Sequence, residues 1–264
     1  MKKIRKSLQA IGNIIRNPYL LNLVLNENEN WKRYVLKSFK DELPVISFGD
    51  LFGTFEESVS PFAFLDGGSL PTDLALLKGL AKNIEQCNYF EIGTWRGESV
   101  ANVSKVAREC YTMDLPDDEK RNIGMTEEYI QQYAVYSKEL PNVIHLKANS
   151  LNFDFEALNK KFDLVFIDGD HHYDGVLNDT RKAISYLIHE KSVIVWHDYA
   201  FNPEKVRYEV FAAILDGCGA LFQSNLYHVA NTLCAIYYPG KLICSESVKG
   251  VFEIALSYRE SGTK

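Results

Sequence analysis

Two short apolar runs in this chain stop abruptly at glycine and carboxylate. The first is Tyr89-Phe-Glu-Ile-Gly-Thr-Trp-Arg-Gly-Glu-Ser99, and the second is Phe162-Asp-Leu-Val-Phe-Ile-Asp-Gly-Asp170. Runs of this kind read as strands buried on both faces of a parallel sheet, with polar groups at their C-terminal tips. Parallel neighbours need helical crossovers, so the pattern commits the chain to an α/β architecture. In open α/β sheets ligands bind at those tips, where the strand order reverses.

The rest of the chain agrees. From Asn88 onward, strands are expected at Tyr89 to Ile92, Cys110 to Met113, Val143 to Lys147, Leu164 to Ile167 and Val193 to Trp196. Helices are expected between them, at about Ser99 to Arg108, Thr126 to Leu140, Phe155 to Asn159 and Asp174 to Ile188. Two later runs, Ala220 to Ala230 and Leu233 to Tyr238, read as a hairpin-like pair closing one sheet edge. Pro71-Thr-Asp-Leu opens a helix running to about Cys87, as proline at a first helical position does.

Residues 1–70 read as a separate N-terminal helical appendage. Ile4, Leu8, Ile11 and Ile15 recur at helical spacing among Lys and Arg, and Pro18 interrupts the helix. A second helical segment is expected from Leu20 to Phe39, with polar breaks at Asn26 to Asn30. The first forty residues carry nine Lys/Arg against two Glu, whereas the remainder holds 20 basic and 33 acidic residues. The arm therefore packs on the domain or on a second copy, or lies on an anionic membrane surface. Residues 41–70 read as a connecting segment and lid, whose aromatic residues serve the core or wall an acceptor pocket.

Composition excludes other classes. Hydrophobic residues at 46% and charged residues at 24% fit a globular domain. No stretch reaches the about 18 apolar residues of a membrane span. The five cysteines, Cys87, Cys110, Cys218, Cys234 and Cys244, form no CxxC pair, so reduced thiols and a cytoplasmic location are expected. The acidic body offers no nucleic-acid surface.

Four groups of residues carry chemistry. Gly93 and Gly97 in Glu91-Ile-Gly-Thr-Trp-Arg-Gly97 let backbone approach a ligand, and the helix after Gly97 presents N–H groups to it. Asp114 ends the next strand, where one carboxylate can take both ribose hydroxyls. Asn149 and Ser150 end the third strand, beside an expected adenine edge. Finally Ile167-Asp-Gly-Asp-His-His-Tyr-Asp-Gly175 and Val193-Ile-Val-Trp-His-Asp-Tyr199 bring Asp168, Asp170, His171, His197 and Asp198 to one sheet end. Carboxylates so close need a cation or a proton between them. Oxygen ligands suit Mg or Mn, and an imidazole shifts the choice towards Mn, Fe or Zn.

Taken in order, these motifs resemble class I S-adenosylmethionine-dependent methyltransferases. They look most like the small-molecule O-methyltransferase branch that includes catechol, caffeoyl-CoA and macrolide-sugar enzymes. The resemblance spans about Leu74 to Tyr238, within a methyltransferase domain at 71–264. It implies a Rossmann-like, doubly wound seven-stranded sheet of order 3-2-1-4-5-7-6. It assigns S-adenosylmethionine to Glu91, Gly93, Thr94, Gly97, Ser99, Asp114, Asn149, Ser150 and Asp168. By position it makes Asp168, His197 and Asp198 the metal ligands, where relatives carry Asp-Asp or Asp-Asn rather than His-Asp at the last two. Asp170 becomes the general base, with His171 beside it. The implied reaction is O-methylation of a small-molecule or sugar hydroxyl. Alternatives are a nicotinamide-dependent oxidoreductase, disfavoured by the missing GxGxxG, and a non-catalytic methyltransferase-like partner protein. A homo-oligomer is compatible with either.

Overall fold

The structure, a computed structural model, describes residues 2–16, 27–65, 67–244 and 250–257. Its strands are β1 (Val45–Ile46), β2 (Asn88–Ile92), β3 (Glu109–Asp114), β4 (Val143–Lys147), β5 (Leu164–Ile167), β6 (Val193–Trp196), β7 (Ala200–Asn202), β8 (Lys205–Val206), β9 (Leu226–Val229) and β10 (Ala235–Tyr237). Among the described residues one eight-stranded sheet runs β1-β9-β10-β6-β5-β2-β3-β4, and β7 and β8 form a separate small ladder. β2 pairs in parallel with β3 and β5, and β10 pairs antiparallel with β6 and β9. The expected order of seven strands is therefore present. The addition is β1, which lies parallel on β9.

The helices are α1 (Lys2–Arg16), α2 (Glu27–Val35), α3 (Phe48–Phe52), α4 (Pro71–Lys82), α5 (Glu98–Val103), α6 (Asp117–Asn122), α7 (Glu127–Gln131), α8 (Tyr173–Lys182), α9 (Tyr208–Cys218) and α10 (Ala220–Gln223). Successive strand residues point to opposite faces. Phe90, Ile92, Val165, Ile167, Ile194 and Trp196 face one layer, with Val176 of α8 and Phe211 of α9. Tyr89, Leu164, Phe166, Val193 and Val195 face the other, with Leu76 and Leu80 of α4 and Val100 of α5. Burial on both faces explains why the central strands are unbroken apolar runs.

Several expectations need correction. Residues 20–26 of the second expected helix, and Pro18, lie outside the described residues. Asn28 and Asn30 are helical within α2 rather than breaks. Asn28 accepts from the Tyr208 amide at 2.8 Å and donates to the Val206 carbonyl at 3.1 Å, so it caps the start of α9. Ala220–Gln223 is helical, and only Leu226–Val229 of that run is strand. The helix expected over Thr126 to Leu140 stops at Gln131. Its backbone is diverted: the Ala134 amide donates to the Trp95 carbonyl at 2.6 Å and the Tyr136 amide to that of Arg96 at 3.0 Å.

Part of the segment before α4 packs into the core of the domain. Ser47 caps α3 in a reciprocal pair with Asp50, and Phe48 is buried. Val35 and Leu43 share the core with α9, while Ile46 and Phe48 share the core with α4. The expected boundary between residues 70 and 71 runs through this common core. Phe48, Phe52 and Phe55 are core residues, and Phe64 is 79% exposed. All five cysteines are unpaired, four of them buried. No described helix is long and apolar enough to cross a membrane.

Candidate active site

The tips of β2 and β5 meet at Gly93. Its φ is +107°, and a Cβ placed there would sit 2.0 Å from the Asp168 carbonyl oxygen. Gly97, at φ +80°, begins α5, and a Cβ there would lie 2.2 Å from Ser137 Oγ. Trp95 between them takes φ +39°, a left-handed value uncommon for a bulky residue. The diverted segment after α7 holds this loop through the Trp95 and Arg96 carbonyls. Above it the Trp95 ring stacks on Tyr129 at 5.6 Å, with the Arg96 guanidinium 3.8 Å from its centre on cation–π terms.

Beneath the loop lies a buried polar cluster. Glu91 is fully buried and accepts from the hydroxyls of Thr112 at 2.6 Å, Tyr89 at 2.7 Å and Ser99 at 2.8 Å. Thr94 Oγ1 pairs with Thr112 Oγ1. Glu91, Thr94 and Ser99 therefore support the loop from below, while Gly93 and Gly97 shape its upper surface. Burial pushes the Glu91 carboxyl up to about 7, although the Thr112, Tyr89 and Ser99 hydroxyls favour its charged form. A raised folded-state value contributes stability that is present below the unfolded value of 4.5 and lost as pH rises through 7. Urea unfolding across that window is expected to cost the wild type about 3 kcal/mol that Glu91→Gln does not lose. Parallel pH profiles for the two proteins would remove Glu91 as the cause.

Asp114 ends β3 as expected. Lys120 binds its Oδ2 at 2.7 Å, the Trp95 amide approaches the same oxygen at 3.2 Å, and the Leu115 amide donates to Oδ1 at 2.8 Å. The carboxylate is thus fixed beside the glycine loop, and Lys120 compensates its charge. Asn149 donates to Glu119 of α6 at 2.5 Å and accepts from the Leu151 amide at 3.0 Å, so its side chain ties its loop to α6. Burial raises the Asp179 carboxyl above its ordinary value, while the Ser150 hydroxyl and Asn178 act to lower it.

Across the β5 and β6 tips, Asp168, His197 and Asp198 place one ligand atom each within 4.8 Å of one another. Asp198 takes φ +57°, a strained value of the kind that collects at functional sites. His197 is buried, and its Nε2 lies 3.1 Å from Oδ2 of the fully buried Asp73. Asp73 also accepts from the Leu70 amide at 2.7 Å and the Leu233 amide at 2.8 Å, which pins it at the start of α4. The opposite nitrogen, Nδ1, lies 3.0 Å from Asp168 Oδ1 and 3.6 Å from Asp198 Oδ2, yet makes no aligned hydrogen bond.

The ionisable groups of this cluster act strongly on one another. Burial raises the Asp168 carboxyl above its ordinary value despite the pull of His197. Burial also opposes charge on His197, but Asp168, Asp198 and Asp73 outweigh it and hold the imidazole well above its usual value. At Asp198 burial is overcome by His197, Arg207 and His171, which bring its carboxyl down to about 2. Two carboxylates and one nitrogen of a carboxylate-anchored histidine are a set of donors that could hold a divalent cation.

The two residues expected to handle the proton separate. His171 Nδ1 lies 3.6 Å from Asp198 Oδ2, with a side chain 55% exposed. Asp170 turns instead onto the start of α8. Its Oδ1 meets His172 Nδ1 at 2.7 Å and the His172 amide at 3.0 Å, and its carboxyl would crowd any Cβ at Gly175. Asp73, Lys120, Tyr129 and Arg207 also belong to this region, and the one local sequence signal for Asp73 is an acid in the first turn of a helix.

Residues 90–199, which contain both glycines, Asp114 and the Asp168–His197–Asp198 cluster, match the family model of a methyltransferase domain. Uncharacterized protein R132 of Acanthamoeba polyphaga mimivirus is 30% identical over 131 residues, 47% of this chain and 58% of that protein. The chain thus spans less than two thirds of the length of this curated relative. Among solved structures, the S-adenosylhomocysteine-bound methyltransferase PaMTH1 of Podospora anserina is 17% identical, covering 68% of this chain and 83% of its own, with a TM-score of 0.46. CalS11, a TDP-rhamnose 3'-O-methyltransferase of calicheamicin biosynthesis, is 14% identical, covering 64% and 80%, with a TM-score of 0.45. Within the matched residues the glycine loop and the carboxylate–histidine cluster occupy adjacent strand tips.

Proposed function

We propose that the chain transfers a methyl group from S-adenosylmethionine to a hydroxyl oxygen of a small molecule or sugar, assisted by Mg or Mn. The observation that carries this reading is the buried His197, with one nitrogen anchored by Asp73 and the other turned, unpartnered, towards Asp168 and Asp198.

The sulfonium donor is already activated, so the protein must position two groups and remove one proton. The Gly93–Gly97 loop, which opens α5 at the β2 tip, would take the methionine end of the donor. Asp114 would accept the ribose hydroxyls, with Lys120 keeping its carboxylate in place. Asp168, His197 and Asp198 would hold the ion. When bound, a divalent cation polarises the acceptor hydroxyl and lowers its pKa. His171 stands at the exposed side of Asp198, where it can receive the proton. Asp170, held by His172, would act by fixing the loop that carries His171.

Titration calorimetry tests the reading directly. S-adenosylhomocysteine should bind and NADH should not. The opposite result would favour a nicotinamide-dependent oxidoreductase, and uptake of neither would favour a non-catalytic partner protein. Dialysis against EDTA should abolish methyl transfer to vicinal hydroxyl acceptors and Mn should restore it. An unchanged rate would remove the metal and leave methyl transfer standing.

A further inference from the structure

Helix α1 carries an apolar stripe that the rest of the described chain does not cover. Ile4, Leu8, Ile11 and Ile15, at helical spacing, are 68%, 65%, 54% and 74% exposed. Among the described residues its side-chain hydrogen bonding is internal, from Ser7 to the Lys3 carbonyl, and no ion pair or ring contact joins it to the body. The contrast with α2 is direct, since that helix docks on α9 and stacks Trp31 on Tyr173 at 4.8 Å. The five charged residues of α1, Lys2, Lys3, Arg5, Lys6 and Arg16, are all basic, with no acidic residue from 2 to 16.

A partner for this helix must offer an apolar layer and negative charge together. A second copy of α1 supplies the apolar layer but sets five positive charges against five. The body, with 20 basic and 33 acidic residues beyond residue 40, supplies charge, yet among the described residues no ion pair joins α1 to it. A bilayer containing anionic lipid supplies both: acyl chains for Ile4, Leu8, Ile11 and Ile15, and phosphate or carboxylate headgroups for the flanking Lys and Arg. We propose that α1 lies in the interface of an anionic phospholipid membrane and tethers the chain there. The whole chain carries −6, so attraction depends on the charge being concentrated in this helix, and added salt should weaken it.

The test is flotation of the full chain with vesicles of equal parts phosphatidylserine and phosphatidylcholine, and with phosphatidylcholine alone. Partitioning to the mixed vesicles should be at least about tenfold stronger and should fall with salt. Leu8→Glu combined with Ile11→Glu should lower it at least about tenfold with thermal unfolding of the body unchanged. Lys3→Glu with Lys6→Glu, which leaves the stripe intact, should remove the preference for anionic vesicles. Equal binding to both vesicle types, or undiminished binding by the Leu8/Ile11 variant, overturns the proposal. So does a wild-type dimer that the Leu8/Ile11 variant converts to monomer, because the stripe would then be a subunit interface.

Discussion

Replacing Gly93 by alanine should cost about 4 kcal/mol or more and abolish binding of S-adenosylhomocysteine. Two independent effects add at this residue. The backbone sits at φ +107°, where an L side chain is strained, and the new Cβ would lie 2.0 Å from the Asp168 carbonyl oxygen. That oxygen is main chain in a strand tip and cannot swing aside as a flexible side chain would. Relief requires β2 and β5 to separate at the point where the two halves of the site meet. Urea unfolding and calorimetry would check the two parts separately. A Gly93→Ala protein of wild-type stability that still binds the demethylated cofactor would show that the strand tips are looser than described.

Asp168→Asn should leave cofactor binding largely intact, lower methyl transfer on the order of 10³-fold and weaken Mn binding. The amide keeps the size of the carboxylate and removes the charge facing His197 Nδ1 at 3.0 Å. Asp73→Asn should reduce Mn affinity by roughly 10–100-fold without touching the ion, because it loosens the anchor that orients His197. Electron paramagnetic resonance of bound Mn reads both variants without needing the acceptor. Wild-type Mn affinity in Asp168→Asn would move the ion elsewhere. Wild-type affinity in Asp73→Asn would confine Asp73 to capping α4.

How much of this was legible in the sequence depended on whether the signal was local. The central strands are buried on both faces, so their apolar runs announce themselves, and the glycines and acids at their ends mark the site edge. Asp168, His197 and Asp198 converge because β5 and β6 are neighbours in register, with Ile167 beside Trp196. Less accessible were features settled by contacts distant along the chain. Asn28 read as a helix break because its partners, Val206 and Tyr208, lie far ahead in sequence. Thr126 to Leu140 read as one helix because nothing local reveals that Ala134 and Tyr136 bond the glycine loop. Asp170 and Asp168 look equivalent in Asp-Gly-Asp, yet the chain turns at Gly169 and sends the second carboxyl to His172.

Val45–Ile46 has a consequence out of proportion to its length. The His228 amide donates to the Pro44 carbonyl at 2.9 Å and the Ala230 amide to that of Ile46 at 2.8 Å. Without those two residues the margin of β9 would present bare donors and acceptors to any neighbouring chain, an invitation to stick. The upstream sequence is therefore a guard strip for the sheet. A shortened protein beginning near residue 71 would trade solubility for simplicity.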